Sequence, residues 1–246
     1  GLLAEGRERR GWQRAAVAMF AIGMMFIGWS WLTPGSTATW LNRAVIVSAE
    51  AFVLTAVFAM GPDRLRLWQR RWVAAVQACT PWILAMGLGG LFVCLAIEVS
   101  YQLSFGAVRL HVASLTAIAL TLVLASVLFV LFALSRNRDP LHQTERGRMT
   151  YVYLAEVMLA ALFVHLRLTM PWLFGSLERY WPFIVMVIAY AGVIISESLR
   201  KRQLHVLARP VAITGMFLPL LPLIGFWIVE SEVDYSVLLF VGGGLY

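Results

Sequence analysis

The chain has 246 residues, 61% of them hydrophobic and 13% charged, with a mean hydropathy of +0.79 and a formal net charge of +7. A soluble domain needs about a quarter of its residues charged to cover its surface, so this composition excludes one and predicts an all-α, multi-pass integral membrane bundle. The basic residues lie in short runs between apolar spans, which excludes nucleic acid as a partner and leaves the lipid bilayer.

Residues 1–14 form a basic leader that begins at Gly1 rather than Met. The spans predicted after it are Ala15 to Leu32, closed by Thr33-Pro34-Gly35, and Ala44 to Met60, closed by Gly61-Pro62. The third, Trp72 to Ile97, carries Pro81 and the cluster Gly87/Gly89/Gly90, so a kink and a close helix contact are expected, with Glu98 ending it. The fourth, Val112 to Leu134, is the most uniformly apolar and is expected to face lipid. Thr144 to Pro171 holds the fifth, apolar from Met149 to Leu166 but for Glu156 and His165, and Tyr180 to Ser196 forms the sixth. Pro210 is expected to open a seventh span reaching Val229, interrupted by Pro219 and Pro222. Tyr235 to Tyr246 is too short to cross a hydrocarbon core of ~30 Å, at 1.5 Å per residue. The expectation is therefore one transmembrane domain, 1–246, of seven full spans and a truncated eighth. It reads as an excerpt of a longer chain, with further transmembrane segments or subunits as partners. Cys79 and Cys94 are too far apart along one helix to pair and read as small core residues.

Sixteen of the 20 Lys and Arg fall in the leader and in the loops after the second, fourth and sixth spans. Arg43, Arg109, Arg167 and Arg179 lie on the other side. This bias predicts an inner-membrane protein with a cytoplasmic N-terminus. Glu8 to Pro34 and Glu145 to Pro171 share length and several residues, which raises a parallel duplication of units 8–134 and 145–246.

Carboxylates inside a membrane cost roughly 2.5–3.5 kcal/mol on insertion scales, so they face protein and take partners. Glu50 and Glu156 qualify. Arg43 falls within about 20° of Glu50 on one helix face, and Arg167 within about 20° of Glu156, while His165 points to the opposite side. Glu50, Glu156 and Arg43 are candidates for a proton or cation pathway, or for polar packing between helices. Glu156 is expected to be hydrogen-bonded to another helix, with Thr80 as a candidate donor.

The outer ends of spans three to six gather Glu98, Arg109, His111, His165, Arg167, Glu178 and Arg179. Arginine can hold phosphate oxygens while a histidine acts as acid or base, so Arg109, His111, His165 and Arg167 form the catalytic set of an alternative reading: an outer-leaflet enzyme acting on a lipid-linked or phosphorylated substrate. A haem between His111 and His165 has little support. The sequence carries no Walker A loop, GxSxG, HExxH, CxxC or Gly-rich dinucleotide turn, so no cofactor and no metal site are expected. The leading expectation is a non-catalytic membrane module, either a transport domain or a structural subunit.

Overall fold

The computed structural model describes residues 2–30, 37–60, 70–105, 112–136, 139–141, 144–170, 172, 180–221 and 235–244. Its helices are α1 (Leu2–Ser30), α2 (Thr37–Met60), α3 (Arg70–Phe105), α4 (Val112–Leu134), α5 (Glu145–Thr169), α6 (Trp181–Lys201), α7 (His205–Phe217) and α8 (Tyr235–Gly243). Among the described residues there is no strand, and five helices are long and apolar enough to cross a membrane: α2, α3, α4, α5 and α6. The chain is thus an all-helical protein of the multi-pass membrane kind.

Several helix limits differ from expectation. The leader is continuous with the first span, since α1 starts at Leu2 instead of Ala15. Helix α3 runs unbroken through Pro81 to Phe105, so Glu98 lies inside it and does not end it. Helix α7 begins at His205, and Pro210 sits within it rather than opening it. Val206 and Pro210 are buried on one side of it and Ala208 on the other. The rest of the predicted seventh span, 222–229, lies outside the described residues.

Helix α4, expected to face lipid, is the centre of the bundle, packed against α2, α3, α5 and α7, and only its Leu120, Val123, Val127 and Leu131 side is left exposed to lipid. Half of its apolar span is buried, the largest share of the five. Ile118, Leu122, Ala125, Phe129, Phe132 and Ala133 are all fully buried. An all-round apolar helix suits either a core or lipid, and hydropathy alone does not distinguish the two. At its far turn Phe129 is an aromatic hub. Its ring stands edge-on to Phe52 of α2 at 6.2 Å and stacks on Tyr151 of α5 at 6.2 Å, with Phe132 beside Phe129 and Tyr151. A second apolar cluster joins α1 to α2 and α3 through Val17, Ala21, Met25, Phe58, Val76 and Ile83.

Close approach between helices follows the glycines. A Cβ on Gly87 would meet Ala51 at 3.2 Å, and one on Gly90 would collide with the Ser48 hydroxyl, so α2 and α3 meet along this stripe. Gly89 has nothing within 4 Å and takes no part in the contact. Gly215 of α7 lies against the backbone of α6, with Ala189 O 3.2 Å from where its Cβ would be.

The α6–α7 turn is short and fully hydrogen-bonded. Leu204 N–H donates to Leu199 O at 3.0 Å and Gln203 N–H to Arg200 O at 3.0 Å, the paired bonds of a Schellman ending. Gln203 has φ 59°, the left-handed conformation that glycine adopts without steric cost. Gln203→Gly is expected to raise stability by about 1 kcal/mol, read as a higher midpoint in thermal unfolding of the detergent-solubilised protein. A lower midpoint would mean that the side chain contributes more than its backbone strain costs.

Candidate functional site

Three polar constellations lie inside the bundle. The most enclosed is formed at the end opposite the basic runs by α3, α4 and α5. His165, one turn before the end of α5, and Glu98 of α3 have side chains only 1% exposed. His165 Nδ1 lies 2.8 Å from Glu98 Oε2, which accepts or donates the hydrogen bond, and 2.7 Å from Oε1, which has no hydrogen bond of its own. On the other side of the ring, Nε2 is 3.0 Å from Leu115 O in the first turn of α4.

This geometry fixes the proton count. A carbonyl oxygen only accepts, so Nε2 must carry a proton. One further proton then lies between Nδ1 and Glu98, on the ring as imidazolium with carboxylate or on the acid beside neutral imidazole. Both arrangements are net neutral. The pair therefore clasps three helix ends together and carries no net charge in doing so.

The second constellation is Glu156 with Thr214. Roughly 16 Å along α5 from its start, Glu156 is half-buried, and its Oε2 accepts a hydrogen bond from Thr214 Oγ1 of α7 at 2.6 Å. The cross-helix partner is Thr214, not Thr80. Thr80 donates to Val76 O of its own helix at 2.7 Å, as hydroxyls do where no water is at hand. Ser48, Thr55, Thr121 and Ser126 are spent in the same way.

The third lies at the basic end, where the α4–α5 connection folds back onto the bundle. Tyr151, fully buried, donates to Asp139 Oδ2 at 3.1 Å and accepts from Leu141 N–H at 3.0 Å. Arg148, 7% exposed, donates to Ala133 O at 3.1 Å. That carbonyl is among the last four of α4, which have no helical partner, and a cation beside them also opposes the negative end of the helix dipole. Thr144 starts α5, accepting from Gly147 N–H at 3.3 Å. Sequence reasoning counted Arg148 as one more loop cation and passed over Asp139 and Tyr151. The missed signal was a Tyr nearly two turns into an apolar helix, 12 residues after an Asp in the connection that precedes it.

Of the four residues of the outer enzyme reading, His165 and Arg167 are described. His165 is enclosed with both ring nitrogens engaged, and Arg167 is exposed on another face of α5. Arg109 and His111 lie outside the described residues, as do Glu178 and Arg179. Arg43 is half-buried, its guanidinium carbon 5.6 Å from the Trp29 ring centroid in a cation–π contact between α1 and α2. Glu50, two turns further along α2, is half-buried, and its Oε2 is buried with no hydrogen-bond partner. Among the described residues no group of three or more His, Cys, Asp or Glu could hold a metal ion.

The chain matches no known family model, no curated protein and no solved structure.

Proposed function

We propose that this chain is a non-catalytic integral membrane module, a structural subunit of a larger membrane assembly. The observation that carries this reading is the Glu98–His165 pair. Its proton-bearing atoms are turned inward and used up, on each other and on Leu115 O, where an enzyme would leave one facing substrate. Glu156, Tyr151 and Arg148 support it in the same sense, since each joins one helix to another element of the bundle. The bias of Lys and Arg toward alternate loops supports placement in the inner membrane, with the N-terminus and the connections after α2, α4 and α6 on the cytoplasmic side. In this reading the apolar parts of α1, α7 and α8 complete the membrane-embedded bundle with the five helices able to cross.

A second reading, a proton-coupled transport domain, is favoured by one observation: the buried Oε2 of Glu50 has no hydrogen bond, which a bound proton or cation would change. Glu156→Gln separates the two. A neutral amide oxygen can still accept from Thr214, so a structural role predicts unchanged folding and unchanged ion permeability of proteoliposomes. If wild-type vesicles carry a proton flux that the folded variant lacks, the structural reading fails and the transport reading stands.

A further inference from the structure

The α6–α7 turn carries a charge excess that the helix packing leaves unused. Between Arg200 and Arg209 lie Arg200, Lys201, Arg202, His205 and Arg209, all exposed. Glu197 is the one described carboxylate beside them, and it is already paired with Arg200 at 2.9 Å. Lys201, Arg202 and Arg209 have no ion-pair partner among the described residues. The contrast with the α4–α5 connection is direct, because there Arg148 and Asp139 are turned inward and buried.

The turn also holds these cations in a fixed frame. The two Schellman bonds close it in three residues, and the helices behind it approach to 3.6 Å between the Gly215 Cα and the position of a Cβ on Gly192. His205 and Arg209 are four residues apart on α7 and so share a face. Leu204 is exposed at the tip between the cations. An exposed apolar tip flanked by cations that have no ion-pair partner among the described residues matches the boundary between acyl chains and phosphate at a bilayer surface.

We propose that the α6–α7 turn is a binding site for the phosphate of an anionic phospholipid, held by Lys201, Arg202 and Arg209, with Leu204 against the acyl region. The backbone that carries these cations is already ordered by the two turn bonds, so binding has only the side chains to order.

The test is native mass spectrometry of the full chain released from neutral detergent, with phosphatidylglycerol or phosphatidylcholine of identical acyl chains added. The expected result is retention of phosphatidylglycerol in preference to phosphatidylcholine. Arg202→Gln with Arg209→Gln should reduce that preference by roughly tenfold or more, since each basic residue near a lipid surface contributes appreciably to binding. Arg10→Gln with Arg14→Gln removes the same charge elsewhere on exposed residues and should leave the preference intact. Arg202→Lys with Arg209→Lys, which keeps the charge, should retain most of it and covers the case in which the glutamine variant does not fold. Equal retention of the two lipids would overturn the proposal. So would an equal loss in the two glutamine variants, which would mean diffuse charge attraction, or displacement of the lipid by millimolar inorganic phosphate, which would mean a site for the free ion.

Discussion

His165→Ala is expected to lower the stability of the bundle by about 3–5 kcal/mol, the cost of leaving one partner of a buried pair alone. Removal of the imidazole strands Glu98, 1% exposed, without its Nδ1 partner. It also takes away the only described side chain that joins Leu115 O of α4 to α3. Loss of helical signal as dodecyl sulfate is titrated into mixed micelles measures the effect. Glu98→Gln should cost far less, because the amide N–H can donate to a neutral Nδ1 while Nε2–H stays on Leu115 O. If Glu98→Gln were as damaging as His165→Ala, the charge itself, rather than the hydrogen-bonded clasp, would be what the fold needs.

Phe129→Ala should cost a similar amount, about 3–5 kcal/mol, by opening a cavity where α2, α4 and α5 meet. Phe129 is fully buried, and its ring is in edge or stacked contact with Phe52, Phe132 and Tyr151. The stacked contact also orients Tyr151, whose hydroxyl holds the α4–α5 connection through Asp139 and Leu141. Phe129→Leu keeps most of the volume and should cost under about 1.5 kcal/mol. The same titration distinguishes them, and faster proteolysis in the 135–144 connection is expected for the alanine variant alone. Equal behaviour of the two would show that the site collapses onto the missing ring.

What the residue pattern reveals here follows from the physics of the bilayer. Helix positions are legible because only long apolar helices satisfy their backbone groups in hydrocarbon, and five of the predicted spans coincide with helices able to cross. Which helix lies inside is not legible in the same way. Lipid and protein core are equally apolar, so α4, read as lipid-facing, proves to be the most enclosed. Polar residues break that symmetry. Glu156 was identifiable as inward and bonded to another helix, since a carboxylate in lipid is too costly, yet its partner Thr214 follows only from how α5 packs on α7. Glu98 and His165 were both visible at one end of the bundle, and they were read as interfacial because their distance from span ends was small. The actual α3 extends past Glu98 to Phe105, which carries the acid into the interior and into reach of His165. Arg148 shows the converse error: a basic residue in a basic stretch is counted toward orientation even when its charge serves a helix end.

The central claim is that the interior polar pairs exist to hold helices together, and a double-mutant cycle on Glu98 and His165 tests it most directly. Glu98→Met and His165→Phe should each destabilise the protein strongly when made alone, because each strands a buried polar partner. Together they replace the pair with apolar groups of similar volume, and stability is expected to return to within about 1 kcal/mol of the parent. The contradicting result is a double variant whose loss equals the sum of the two single losses, which would mean that Glu98 and His165 act independently and that their contact is incidental to the fold.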